Sequence, residues 1–347
     1  MNPLPQHGFT ELAIAVAAND LNATRRIANE LLPITRQACA DAAAASTDPA
    51  VVTRCHDRGG ILPGNPRTLF GNIDPAAVRS AWHRQLITST TALAGFAAND
   101  RSAAGDWCQD WIEWAGPSWP FHRLEHLRDY LVEVLKLCDL LEHPVDPLRL
   151  VVGEPVAGSG WDTFGAGSTE HDGSLRMHGS GIAAWHRADI PANAVVSFRF
   201  TPQPTPGDRG GLLFAMPARP LTADGFAAST GPMERYNAGI DTWHCSLSRG
   251  TSGVTNLRRT GFGLRMLSTV PDPCRLRGRT YAVAIAVHNR TIQVHVDGAL
   301  IHHYVDTGAH GPALGAGRFG IRLFAGLPME MVIEDVRIAA LSSSPCA

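Results

Sequence analysis

The sequence contains one lysine, Lys136, whereas 29 arginines supply the rest of its positive charge. A Schiff-base lysine or a phosphate-binding-loop lysine is therefore excluded at every other position. No G-x-S-x-G motif and no phosphate-binding loop occurs, and no G-x-G-x-x-G motif stands at a strand–helix junction. The sequence thus lacks the usual signatures of serine hydrolases, P-loop enzymes and dinucleotide-binding enzymes, and we expect no cofactor.

Cysteine is sparse, and the seven cysteines include no Cys-x-x-Cys pair. We interpret them as buried thiols rather than as a disulfide framework or a zinc knuckle. The first residues lack the basic start and the long apolar stretch of a secretory signal, which predicts a cytoplasmic protein. No apolar run approaches the ~20 residues of a membrane span. The net charge of −2 argues against a nucleic-acid partner.

The length of 347 residues suggests two domains, and the composition changes near residue 147. Before that point, apolar residues recur at three- and four-residue spacing, which predicts helices at 9–18, 21–45, 75–98 and 121–142. After it, short alternating apolar runs between Gly, Pro and Asp turns predict strands at 195–200, 211–216, 242–248, 281–287, 291–298, 319–325 and 331–338. The predicted fold class is α+β, with a helical bundle at 1–146 followed by an antiparallel β-sandwich at 147–347.

Charge divides unevenly between the two predicted domains. Residues up to 146 include 12 basic and 17 acidic side chains, whereas residues from 147 onward include 18 basic and 15 acidic ones. The sandwich domain is therefore the one that attracts an anionic ligand.

Strand parity predicts a polar sheet face in the second domain. In the segment 242–248, His244 points away from the apolar side chains of Trp243, Cys245 and Leu247. If the following strand pairs with it as a hairpin, Asn256 and Arg258 share the face of His244. Alternation in other strands adds three further candidates for substrate binding, namely Arg199, His295 and Arg322. The alternative is that this is an ordinary solvated face.

Several segments in order resemble the YesU family of bacterial proteins: SLRMHG (174–179), VSFRFTPQPTPGDRGGLLFAMPA (196–218), GIDTWHCSLSRG (239–250), TNLRRTGFGLRM (255–266), VPDP (270–273), TIQVHVDGALIHHYVDTG (291–308) and GAGRFGIRLF (315–324). The resemblance covers about residues 150–340 and implies a concanavalin A-like jelly roll. It also implies a carbohydrate context, without a defined reaction. The positions it carries over are His244, Asn256, Leu257, Arg258, Arg259, Phe262 and Arg322. The helical domain departs from the family and resembles nothing we recognise.

Two reactions cleave a sugar chain, and each needs its own set of residues in the second domain. Glycoside hydrolysis needs two carboxylates, but no E-x-D-x-x-E strand occurs. Glu330, Glu334 and Asp335 come closest, and we interpret them as an acidic turn into the last strand. Elimination from a uronide needs a base and groups that neutralise a carboxylate. His244 and Tyr236 supply the acid–base types, and Asn256 and Arg258 supply the anion-stabilising types.

Two further features leave alternatives open. Trp185 is a candidate for stacking on a sugar ring, although core packing is the competing interpretation. The sequence HRLEH (122–126) matches the H-x-x-E-H pattern, in which His122 and His126 lie one helical turn apart. No third ligand is identifiable, so we expect no metal and keep these histidines only as weak candidates.

The residues favour a lyase or glycoside-cleaving enzyme but leave open whether the protein is an enzyme at all. The expected ligand is a small molecule or an oligosaccharide, and an anionic one fits the charge. One alternative is a noncatalytic glycan-binding protein. Another is a lyase, cyclase or isomerase of a specialised metabolite, with an apolar pocket between the sandwich and the tryptophan-rich stretch 106–120.

Overall fold

The computed structural model describes residues 5–46, 67–68, 74–98, 119–143, 145–147, 150–171, 173–204, 212–249, 253–261, 265–324 and 328–343. The chain divides into two compact units. The first comprises Met1–Asn65, Trp82–Pro144 and Asp306–Pro312, and the second comprises Pro66–Ala81, Val145–Val305 and Ala313–Ala347. The units are therefore not two continuous stretches that meet at residue 146, because 66–81 and 306–312 each belong with the opposite part of the chain.

Helices account for most of the described part of the first unit. They are α1 (Gln6–Ala17), α2 (Leu21–Ala44), α3 (Pro75–Ala98) and α4 (Trp119–Glu142), and the first turns of α3 belong to the second unit. Asp20 caps α2 by accepting a hydrogen bond from the Ala23 amide at 2.9 Å. The predicted helical segments agree with these bounds to within about three residues. Among the described residues, no helix is both long and apolar enough to cross a membrane.

Helix α4 is buried on nearly every side. Most of the apolar residues that recur along it at three- and four-residue spacing lie in the core, with Leu135 only half-buried. Polar residues on the other sides are buried too, and one of them is Glu133. Its carboxylate accepts hydrogen bonds from Gln85 Nε2 at 2.5 Å and from the Thr307 hydroxyl, while His310 Nε2 lies 3.7 Å away. The segment 306–312 thus supplies polar partners inside the first unit.

The second unit contains two large antiparallel sheets. The seven-stranded sheet has the order β12-β11-β10-β9-β16-β7-β4. Its strands are β4 (Trp161–Phe164), β7 (Ala183–His186), β9 (Leu212–Pro220), β10 (Ile240–Leu247), β11 (Val254–Arg259), β12 (Arg265–Pro271) and β16 (Arg318–Leu323). Two short helices, α5 (Gly225–Ala228) and α6 (Met233–Gly239), interrupt the chain between β9 and β10.

The eight-stranded sheet has the order β15-β14-β13-β8-β17-β6-β5, and β3 also pairs with β17. Its strands are β3 (Leu150–Pro155), β5 (Ser168–His171), β6 (Ser174–Gly179), β8 (Ala194–Pro202), β13 (Tyr281–His288), β14 (Thr291–Val296), β15 (Ala299–Val305) and β17 (Met329–Ser343). A separate parallel pair joins β1 (Arg67–Thr68) to β2 (Asp146–Pro147).

The core of the sandwich follows the predicted alternation. Val196, Phe198 and Phe200 of one sheet and Trp243 and Cys245 of the other belong to the same buried apolar cluster. Successive strands β6, β7, β8 and β9 alternate between the two sheets, which is the crossover pattern of a jelly roll. The predicted fold class is confirmed: a helical region is followed by an antiparallel jelly-roll sandwich.

Candidate functional site

The outer face of the seven-stranded sheet, which points away from the apolar core, carries His244 and Arg258 directly opposite each other on β10 and β11. Both side chains are covered: His244 is 0% exposed and Arg258 is 6% exposed. Asn256 lies two residues before Arg258 on β11. The predicted hairpin therefore forms, and it brings the three residues together as the alternation requires.

Asn256 connects two arginines. In the amide orientation that matches donors with acceptors, its side-chain oxygen accepts from Arg249 Nη1 at 3.1 Å and from Arg258 Nη2 at 3.0 Å. Its amide nitrogen donates to Thr269 Oγ1 at 2.9 Å. Sequence reasoning missed Arg249, because this residue lies just after β10, where strand alternation makes no prediction.

Tyr236 of α6 and Arg322 of β16 complete the group. The rings of Tyr236 and His244 lie 5.4 Å apart between centroids, and the Arg322 guanidinium lies 5.0 Å from the Tyr236 centroid. Arg322 Nε and Nη2 donate to the carbonyls of Ser229 and Gly231, each at 2.5 Å. We call His244, Tyr236, Arg249, Asn256, Arg258 and Arg322 the His244 cluster.

Both ring nitrogens of His244 and the hydroxyl oxygen of Tyr236 are buried without a hydrogen-bond partner among the described residues. Burial of an unpaired polar group costs about 1–3 kcal/mol. A polar ligand or an ordered water would supply the hydrogen bonds that these atoms lack.

The electrostatic environment shifts the pKa values of the two aromatic groups in opposite directions. Burial, followed by the charges of Arg258, Arg322 and Arg249, lowers the pKa of His244 well below its ordinary value. Burial raises the pKa of Tyr236, against the smaller effect of Arg322. Near neutral pH the imidazole is therefore a neutral base, whereas the phenol keeps its proton.

Trp185 lies on the same outer face, where its indole nitrogen donates to Ser229 Oγ at 3.1 Å. It packs in a separate apolar cluster with Tyr236 and Ile240 rather than in the sandwich core. Its ring covers Gly320 of the neighbouring strand, since a Cβ atom placed there would lie 2.2 Å from Trp185 Cε3. The indole is buried, and no face of it is open for stacking on a sugar.

Two predicted binding residues lie elsewhere. Arg199 on β8 and His295 on β14 belong to the eight-stranded sheet and are not near the His244 cluster. Arg199 pairs with Asp335 at 2.8 Å, and Glu330 pairs with Arg176 at 3.0 Å. The acidic residues of β17 thus form surface ion pairs.

The other positions carried over from the family resemblance have separate roles. Leu257 lies in the sandwich core, and the guanidinium of Arg259 donates to Asp241 at 3.1 Å. Phe262 lies outside the described residues, as does the tryptophan-rich stretch apart from Trp119 and Pro120.

The two candidate metal ligands are buried in α4. His126 donates from Nδ1 to the His122 carbonyl at 2.7 Å, and His122 Nδ1 lies 3.1 Å from Glu125 Oε2. Within the part of the chain that the structure describes, no three His, Cys, Asp or Glu side chains are placed to hold a metal ion.

No protein-family model and no curated protein matches the chain. Among solved structures, it is similar to a protein of unknown function with a galectin-like fold from Bacillus subtilis, with 23% identity, 53% of this chain and 90% of that chain covered, and a TM-score of 0.44. A carbohydrate binding module from Bacillus subtilis has 12% identity, with 53% of this chain and 97% of that chain covered, and a TM-score of 0.39. A Bacillus licheniformis β-glucanase has 10% identity, with 55% of this chain and 91% of that chain covered, and a TM-score of 0.37. Such values do not indicate an activity.

Proposed function

We propose that the sandwich unit binds an acidic saccharide at the His244 cluster and cleaves it by β-elimination. The observation that carries this proposal is the set of buried, unpartnered polar atoms on His244 and Tyr236 beside three guanidinium groups. A sugar hydroxyl would supply the missing hydrogen bonds. A carboxylate would meet the positive charge, because guanidinium groups pair strongly with carboxylates.

The opposite pKa shifts assign the two proton-transfer roles. Neutral His244 accepts the proton from the carbon next to the substrate carboxylate. The electron pair of that C–H bond forms a carbon–carbon double bond while the glycosidic carbon–oxygen bond breaks. The departing oxygen takes the proton of Tyr236, and the arginines stabilise the charge that grows on the carboxylate.

The experiment incubates the protein with uronic-acid oligosaccharides and follows the ultraviolet absorbance of the unsaturated product. We expect His244→Gln and Tyr236→Phe each to lower the rate by roughly 10²–10⁴-fold, the usual contribution of a positioned acid or base. His178→Gln is the matched control, because His178 is an exposed histidine on β6 of the other sheet. The rate should persist below pH ~6.5, the ordinary histidine pKa, because the pKa of His244 is depressed.

A noncatalytic glycan-binding role is the second candidate, in which the three arginines around His244 bind a saccharide carboxylate without proton transfer. The same oligosaccharides bound in a calorimeter without any unsaturated product would establish this role. If the protein shows no binding and forms no product, both candidates are refuted. The relation of residues 150–340 to the YesU family and a cytoplasmic location likewise stay proposals.

A further inference from the structure

The eight-stranded sheet carries a groove of about 540 Å³ on its outer face, within the ~300–1,000 Å³ range of small-molecule sites. Its floor consists of Ser197, Ala282 and Ala284, whose small side chains alternate along β8 and β13 with core residues. One wall carries Arg199 and Arg337. We call this feature the Arg337 groove.

Strand register explains the width of the groove. Arg337 of β17 pairs with Ser197, Ser197 pairs with Ala284, and Ala284 pairs with His295 of β14. Three strand spacings of ~4.8 Å place the backbones of Arg337 and His295 about 14 Å apart. Along this row, the small residues Ser197 and Ala284 lie between the long side chains of Arg337 and His295. This arrangement leaves room for a sugar ring above the sheet.

A bulge in β17 puts Arg337 on the outer face. Ile333 and Ile338 both lie in the core although they are five positions apart, an odd interval that would put them on opposite faces of a regular strand. The register shifts between Glu334 and Arg337, and Asp335 has a φ of +54°, in the left-handed region. Strained bulges that redirect a side chain occur preferentially beside functional sites.

The two arginines of the wall differ in their partners. Arg199 Nε pairs with Asp335 at 2.8 Å, an exposed pair of little stabilising value. Arg337 is exposed and has no hydrogen-bond or ion-pair partner among the described residues. Its guanidinium is therefore available to an incoming anion.

We propose that the Arg337 groove is a second saccharide site, specific for a carboxylated sugar. Arg337 pairs with the carboxylate, Asp335 accepts from sugar hydroxyls, and the methyl groups of Ala282 and Ala284 pack against the C–H face of the ring. A bare inorganic anion uses only the first of these contacts and meets repulsion from Asp335. The site lies on the opposite sheet from the His244 cluster and does not depend on the function proposed there.

The test titrates a trisaccharide of uronic acids into the full-length His244→Gln variant, so that the His244 cluster is impaired and the groove is intact. Arg337→Gln in this background should weaken binding at least ~10-fold, as expected for loss of a charge-assisted hydrogen bond. Ala282→Trp should abolish binding by filling the groove, since Ala282 is exposed on its floor. Arg176→Gln, on the same sheet but outside the groove, should change nothing.

The methyl ester of the same trisaccharide should bind at least ~10-fold more weakly, because it lacks the charge. The proposal is overturned if the trisaccharide does not bind the His244→Gln variant, if Arg337→Gln and Ala282→Trp leave binding intact, or if the ester binds equally well. Arg337-dependent binding of inorganic sulfate without binding of the trisaccharide would also overturn it. The His244→Gln variant should lose elimination activity and keep Arg337-dependent binding, so failure of one site is distinguishable from failure of the other.

Discussion

Gly320 and Trp185 face each other on adjacent strands of the seven-stranded sheet, and the indole ring lies over the glycine. Any side chain at 320 would have to displace a fully buried tryptophan whose nitrogen is hydrogen-bonded to Ser229. The glycine therefore fixes how closely the ring approaches the sheet beside the His244 cluster.

Gly320→Ala should lower the free energy of unfolding by about 1–3 kcal/mol, the usual effect of overpacking a rigid site. Urea denaturation measures this change. Gly315→Ala is the matched control, because a Cβ atom there meets nothing within 4 Å, and it should stay within ~0.5 kcal/mol of the parent protein. Equal stability of the two variants would mean that the indole moves freely.

At the scale of elements, the segment from Ser229 through α6 covers the His244 cluster. Arg322 secures it through the carbonyls of Ser229 and Gly231 and through the ring of Tyr236. Because His244 is fully buried, a ligand reaches it only when the residues that cover it move, and this segment contributes Tyr236, whose ring lies 5.4 Å from the imidazole. Its local stability therefore bears directly on the proposed function.

Arg322→Ala should make local opening of residues 229–239 at least ~10-fold more frequent, because two charged hydrogen bonds are lost. Hydrogen exchange of the amides in that segment gives the readout. Arg235→Ala removes an exposed ion pair between this segment and Asp224 and should have little effect. If both variants exchange alike, Arg322 does not hold the cover.

The sequence carried most of the element-scale information. Hydrophobic periodicity is a local property, so the long helices and most strands from β8 onward were predictable, although β12 was not. The pairing of His244 with Arg258 was predictable too. Alternation tells which side of a strand a residue occupies but not which sheet the strand joins. Arg199 and His295 were therefore grouped with a face to which they do not belong. The burial of His244 could not be predicted either. Strand alternation distinguishes the core face from the outer face, but it does not show whether another segment covers the outer face.

On the scale of the whole molecule, the first unit depends on a buried carboxylate. Glu133 is the common acceptor for Gln85 of α3 and for Thr307 of the segment 306–312. A carboxylate in such a position is stabilising only while its donors remain in place.

Glu133→Ala should lower the free energy of unfolding by roughly 3 kcal/mol, since two buried donors lose their acceptor. Guanidinium denaturation of the full chain tests this value. Glu30→Ala, which removes a solvent-exposed partner of Arg26 on α2, serves as the control and should change stability by less than ~1 kcal/mol. A Glu133→Ala protein as stable as the control would show that the buried network contributes nothing.

The placement of Asp306–Pro312 has a consequence for biosynthesis. Thr307 lies 174 positions after Glu133 in the sequence. Helix α4 therefore leaves the ribosome long before Thr307, the donor to Glu133, has been translated. The helices therefore acquire these polar neighbours only after the strands from β3 to β15 have been translated. A fragment of residues 1–146 would contain α4 without the segment 306–312, so Glu133 would lack the Thr307 hydroxyl as a donor.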